Sequence, residues 1–258
     1  MNTVYQLILQ LKFILILAKR DYAMQYAGTL FGILWLFVQY VFQIAVYYIL
    51  FGVIFKDGGR FIYEGDYFLY IMTGMMLWFP VSEMMIRSCS ILYDNRSLVK
   101  RSGAGIKLFV RVPAVQGIFY YLILFWATFV ISIIRNEWNF ISILSLFYGF
   151  ILIILFSLWG EIFSKISLIL KDFTPVMRLI FQIFFWMTPV IYAVPDEYRE
   201  LAAWNPFYGF IELNRYLFFN NYSFSLPDLK GVMAFAVITA AAYIVSKIRL
   251  ERVALDQL

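Results

Sequence analysis

The chain alternates long apolar runs with short charged segments. Leu34–Phe55 reads LWLFVQYVFQIAVYYILFGVIF, 22 residues without a charge. Runs of similar character follow at Tyr67–Ile86, Val112–Ile134, Phe140–Phe163, Phe173–Val194 and Leu229–Ser246. A hydrocarbon core about 30 Å thick is crossed by roughly 20 helical residues, so the pattern predicts six transmembrane helices. Arg178 interrupts the fifth run, and the sixth is short and rich in alanine. The expected fold class is an all-α integral membrane protein.

Two segments fit neither a span nor a solvated loop. Residues 1–20, MNTVYQLILQLKFILILAKR, carry Lys12 in their middle, which makes them a poor span. They lack the basic start and small-residue cleavage site of a signal peptide, so they are expected to be retained. Thr3, Gln6 and Gln10 recur at helical spacing, and Lys12, Lys19 and Arg20 can snorkel. That favours an interfacial amphipathic helix over a seventh, partial span. The other segment, Pro195–Leu226, is too apolar for a loop and too charged for a span. Asp196–Trp204 and Phe207–Phe219 each suit a short amphipathic helix, broken at Asn205–Pro206, where asparagine caps and proline opens the second. Glu212 and Arg215 lie three apart on one face, placed to pair. Two short helices dipping back into the membrane are expected there. The chain then divides, as a single transmembrane domain, into an interfacial helix and lead-in (1–30), spans one to five (31–194), re-entrant helices (195–226), span six (227–248) and a tail (249–258).

Composition sharpens this picture. The chain is 63% hydrophobic and 14% charged, with mean hydropathy +0.79, against about half and about a quarter for soluble domains. It has no histidine, which removes imidazole catalysis and ligation, and its one cysteine, Cys89, excludes an internal disulfide. With the N-terminus inside, 15 of the 21 lysines and arginines fall on inner segments and 6 on outer ones. Both termini are therefore expected in the cytoplasm, and the net charge of +5 reports topology, with no nucleic-acid partner implied. The inner loop Arg87–Arg111 holds six of those cations against Asp94. They serve either topology or docking, the latter with Ser90–Val99 as a short helix parallel to the membrane. Ser102–Lys107, SGAGIK, lacks the spacing of a phosphate-binding loop and reads as a break between short helices. Asp57, Glu64 and Asp66 form the single outer acidic cluster, and read as solvated turn residues before the metal or base site of a membrane glycosyltransferase. The first span has no charge, while Glu83, Glu161 and Arg178 sit near inner span ends, which leaves an ion-coupled flippase without its intramembrane charges. No catalytic or metal-binding residue is nominated.

Three runs carry a resemblance. KRDYAMQYAGTLFGILW, Lys19 to Trp35, holds Arg20, Asp21, Tyr26, Gly28, Thr29, Leu30, Gly32 and Trp35. LKDFTPVMRLIFQIFFWMTPVIY spans Leu170 to Tyr192, and NPFYGFIELNR spans Asn205 to Arg215. In this order they resemble the transmembrane subunits of polysaccharide ABC transporters, with Lys171 where arginine is usual and a first span lacking the common proline. The resemblance implies the permease half of an exporter in the bacterial inner (plasma) membrane, moving a lipid-linked polysaccharide such as O-antigen or teichoic acid. It implies a homodimer joined by two copies of a nucleotide-binding ATPase that holds ATP and Mg, with no cofactor on this chain, which has no GxxxxGK[S/T] motif. It implies Arg96, Lys100, Arg101, Lys171 and Asp172 as the ATPase-coupling residues, and Trp204, Asn205, Pro206, Glu212 and Arg215 as an outer gate. An ABC-type drug or lipid exporter permease is the alternative.

The polar residues of the first span then gain a role. Trp35, Gln39, Gln43 and Tyr47 follow one another at i, i+4 and form one ridge. Rings stack on the CH faces of sugars and amides exchange hydrogen bonds with hydroxyls, with no charge to trap the polymer. Phe181, Phe185, Thr188 and Tyr192 form a comparable stripe on the fifth span, beside Gln182 and Trp186. The competing reading is that these residues join helices to one another.

Overall fold

The structure, a computed structural model, describes residues 2–55, 63, 65–101, 106–219 and 222–257. Among them it is helical, with no strand. In chain order the helices are α1 (Asn2–Gln25), α2 (Trp35–Tyr47, continued by a wider π turn over Tyr48–Ile54), α3 (Tyr67–Asp94), α4 (Arg96–Arg101), α5 (Ile106–Phe109), α6 (Val112–Ile134), α7 (Ser142–Ile169), α8 (Phe173–Met187), α9 (Asp196–Ala202), α10 (Pro206–Phe218) and α11 (Lys230–Gln257). Among the described residues, four segments are long and apolar enough to cross a bilayer: Gly32–Ile54, Tyr67–Asp94, Ile106–Ile134 and Ser142–Ile169. Phe173–Met187 and Lys230–Ser246 are apolar but shorter. The chain is a multi-pass membrane protein.

Helix α3 is the spindle. Asp66 caps it by accepting the Leu69 amide at 3.1 Å, and 83% of its most apolar window is buried, against 17% for the first span. It packs on α6, α7, α8 and α10. Close approach needs missing side chains: a Cβ on Gly74 would lie 2.4 Å from the Val190 carbonyl oxygen, and one on Gly149 of α7 would lie 2.0 Å from the Tyr121 ring. Small residues of this kind let membrane helices approach where burial from water gives no drive.

Two elements depart from the sequence expectation. The fifth span was expected to stay helical to Val194, yet α8 stops at Met187 and Thr188 turns extended (φ −101°, ψ 132°). Pro189 explains it, since proline disfavours helical geometry in the residue before it and offers no N–H. Ser90–Val99 is not a separate helix. Ile91 and Leu92 are buried, so α3 continues to Asp94. Asn95 then ends it with its side-chain amide on the Ile91 carbonyl at 3.0 Å. Residues 102–105 of the SGAGIK stretch lie outside the described residues.

The helix break at Asn205–Pro206 falls where expected: the Asn205 side chain accepts the Phe207 amide at 3.0 Å, and proline opens α10. From α10, Glu212 and Arg215 pair at 2.9 Å with both side chains nearly or fully buried. Arg215 also donates to the carbonyls of Pro189 (3.0 Å) and Val190 (2.7 Å), and lies 3.5 Å over the Tyr70 ring. One guanidinium thus satisfies the carbonyls that α8 releases and ties α10 to α3.

Removing one partner of a buried ion pair leaves an uncompensated charge, at a cost of about 3–5 kcal/mol. Arg215→Met is therefore expected to lower stability by about that amount, and Glu212→Leu added to it to restore part of the loss. Thermal unfolding of the purified protein in detergent checks this. Equal melting temperatures for wild type and Arg215→Met would contradict it.

Candidate functional site

Helix α2 divides into two faces. Leu36, Tyr40 and Ile44 are buried, and the Tyr40 hydroxyl donates to the Met72 carbonyl at 3.1 Å with Thr128 Oγ1 at 3.3 Å. Tyr40 therefore joins helices within the protomer. Gln39 and Gln43 lie on the exposed face. Trp35 is half-buried beside Phe31, ring centroids 5.3 Å apart and perpendicular. Tyr47 is half-buried, 5.6 Å from Phe185 and 6.2 Å from Trp186. The ridge on α2 and the helix that follows α7 thus meet at Tyr47.

The fifth-span stripe is placed differently from the ridge. Phe181 and Phe185 are buried against Trp78 of α3, at 6.3 and 5.8 Å. Thr188 is buried and accepts the Asn205 amide at 2.9 Å. These three are packed inside the chain in this structure. Tyr192 is half-buried and its hydroxyl donates to the Trp186 carbonyl at 3.0 Å. The open polar and aromatic side chains of α8 are instead Arg178, Gln182 and Trp186. Spacing put all of these residues on one helix, but Trp78, on another helix, decides which face is covered.

At the α3 C-terminal end, α1 packs Ile14, Leu17 and Ala18 into one apolar cluster with Ile91, Leu92, Val99, Ile106 and Phe109. Val99 anchors α4 there, which leaves Arg96, Lys100 and Arg101 on the exposed surface. Leu168 of α7 packs on the same cluster, so the exposed Lys171–Asp172 turn lies at this end too. The five residues named for coupling thus share one end of the body.

The polar centre of that end was missed in the sequence. Asp21 is buried, although its neighbour Arg20 is exposed. Its carboxylate accepts from Arg87 Nε at 2.9 Å and from Arg87 Nη2, forming a two-pronged ion pair. Gln25 and Gln116 each donate to it at 2.8 Å. Arg87 also reaches Asp94 at 2.5 Å and Ser90 at 2.6 Å. One carboxylate therefore ties α1 to α3 and α6. The Arg-Asp pair at 20–21 was visible in the sequence, but its partner lies 66 residues away.

At the opposite end Trp204 is exposed, and Asn205 holds Thr188. Pro206 is half-buried at the start of α10, whereas Glu212 and Arg215 are buried, Arg215 with no exposed surface. A second ion pair, Arg199 with Asp228 at 2.7 Å, fastens α9 to the turn before α11. Burial alone would raise the Asp228 carboxyl, but Arg199 and the Ser225 donors outweigh it and hold the group below the usual carboxylate range. Of the acidic cluster, Asp57 and Glu64 lie outside the described residues, while Asp66 caps α3 and faces Arg135 at 3.7 Å.

No protein-family model matches this sequence. It is 23% identical over 230 residues to an O-antigen export system permease protein RfbA of Myxococcus xanthus, covering 86% of this chain and 85% of that protein. It is 22% identical over 230 residues to a protein of the same name from Klebsiella pneumoniae, covering 80% of each. This similarity, which runs along most of the chain, agrees with the three motif runs at Lys19–Trp35, Leu170–Tyr192 and Asn205–Arg215: the chain resembles the permease subunits of polysaccharide ABC transporters.

Proposed function

We propose that the chain is the permease half of an ATP-driven exporter of a lipid-linked polysaccharide, working as a homodimer on two copies of a separate ATPase. The observation that carries this reading beyond the resemblance is the exposed ridge of α2. Gln39 and Gln43 are open to the surroundings of the protomer, in a segment whose length and hydropathy suit a bilayer. An amide facing acyl chains has no partner, and unsatisfied polar groups in hydrocarbon cost several kcal/mol each. A second copy facing the first across this ridge gives those amides an aqueous, sugar-filled space. Trp35, Tyr47, Gln182 and Trp186 would add rings and an amide to it.

In this reading α8 and α11 complete six spans, α9 and α10 are re-entrant on the outer side, and both termini are cytoplasmic. The sugar chain moves by exchanging weak contacts: rings against CH faces and amides against hydroxyls. ATP and Mg belong to the partner ATPase. Its push enters at the α3 C-terminal end, through Arg96, Lys100 and Arg101 of α4 and the Lys171–Asp172 turn. From there the Asp21–Arg87 pair carries it to α1, α3 and α6 together.

Two outcomes test the reading. The purified chain is expected to hydrolyse no ATP by itself and to co-purify with its ATPase as a two-plus-two complex. Turnover by the chain alone, free of contaminants, would contradict this.

The second concerns the ridge. With Cys89 replaced, cysteines at Gln39, Gln43 and Tyr47 are expected to react with water-soluble thiol reagents in the assembled transporter, and to change with ATP. Cysteines at Ile44, which is buried, and Val41, on another face of α2, are expected to react far less. Equal labelling at all five positions in every nucleotide state would remove the conduit from this surface.

A further inference from the structure

A cavity of about 210 Å³ opens at the α3 N-terminal end, within a single protomer and apart from the α2 ridge. Tyr63, Tyr70, Tyr208 and Tyr222 line it, together with Asp196 and Glu212. The Tyr63 ring stacks nearly flat on Tyr70, centroids 4.8 Å apart and planes 14° apart, and meets Tyr222 at 5.8 Å. Arg215 covers Tyr70 at 3.5 Å and pairs with Glu212, so this part of the wall is rigid and its acid is neutralised. Tyr222 spends its hydroxyl on Glu212 at 2.8 Å, and Tyr70 spends its own on the Tyr192 carbonyl at 3.0 Å. Arg199, also on the wall, is engaged by Asp228.

Four polar groups on the wall have no hydrogen-bond partner among the described residues: the carboxylate of the exposed Asp196 and the hydroxyls of Tyr63, Tyr208 and Ser223. A carboxylate accepts from two adjacent hydroxyls at once, and a phenol both donates and accepts. Phenol rings offer a flat apolar face beside them. A lone unpaired carboxylate among phenols is a poor cation site, because divalent ions take several oxygen ligands of which carboxylates supply the charge. The volume falls below the roughly 300 Å³ at which drug-sized pockets begin, which leaves room for one ring rather than a peptide or a lipid tail.

We infer that this cavity holds one neutral pyranose unit, with Asp196 and Tyr208 bonding its hydroxyls and the tyrosine rings covering its CH face. A sugar acid is excluded, because the open charge on the wall is negative and the cations near it are committed. The inference rests on the export reading for its purpose: each protomer holds a sugar of the emerging chain beside the conduit and opposes its return.

Saturation-transfer NMR tests it on the permease–ATPase complex in lipid nanodiscs. The probes are the methyl pyranosides of glucose, mannose, galactose, rhamnose and N-acetylglucosamine, with methyl glucuronide as the charged comparison. At least one neutral pyranoside is expected to receive saturation and the glucuronide none. Asp196→Asn and Tyr208→Phe are each expected to weaken that binding about tenfold, the effect of losing one hydrogen bond to a polar ligand. Glu200→Gln, on the same helix but outside the cavity, is expected to leave it unchanged, which separates a local effect from misfolding. No binding by any neutral pyranoside, or equal binding by wild type and both variants, overturns the inference. Gene deletion addresses the export reading by itself: loss of a surface glycan supports it and an unchanged surface defeats it, whatever the cavity binds.

Discussion

Helix α3 is held at each end by a guanidinium bound to a buried carboxylate. At its start Arg215 and Glu212 reach it from α10, and at its end its own Arg87 grasps Asp21 of α1. In a medium without water every polar group must find its partner in the chain, so these two clusters decide which helices stay together. Arg215 also takes up the Pro189 and Val190 carbonyls, which permits α8 to end abruptly and α9 and α10 to fold back. Gly74 leaves room for that crossing. The rest of the body is apolar packing arranged around these fixed points.

The same constraint separates polar groups satisfied within the fold from those left open. Tyr40, Thr128, Gln116 and Asn214 are buried, and each has a partner. Gln39, Gln43 and Gln182 are open on the surface of single protomers. A polar side chain in a span that is satisfied internally has a sufficient explanation in the fold. One that is open calls for something outside the chain, and the proposed conduit would supply it. Lys165 belongs with the satisfied groups, since it is buried and paired with Glu161 at 2.8 Å.

Much of the fold was legible in the sequence because hydropathy, capping and proline act locally. The apolar runs became helices, Asn205–Pro206 became a helix start, and the i, i+3 spacing of Glu212 and Arg215 gave a real pair. What stayed hidden was set by distant contacts. Phe181 and Phe185 read as an open stripe until Trp78 covers them. Ser90 to Asp94 read as the start of a separate short helix in a cation-rich segment, while the apolar cluster with α1 that keeps α3 helical joins residues far apart in the chain. Asp21 stood out as part of a motif, but no spacing rule links it to Arg87. For the candidate site, the α2 ridge was readable as a helical face, whereas the tyrosine cavity is assembled from four separate stretches and had no local signal.

The claim most open to test is that Asp21 and Arg87 act as one unit joining α1 to the bundle. A double-mutant cycle with Asp21→Asn, Arg87→Gln and the pair, read by thermal unfolding of the purified complex, measures their coupling directly. The expected result is an interaction energy of about 1–3 kcal/mol, with the double variant much less unstable than the two single effects summed. Strict additivity would show that the pair does not hold α1 in place.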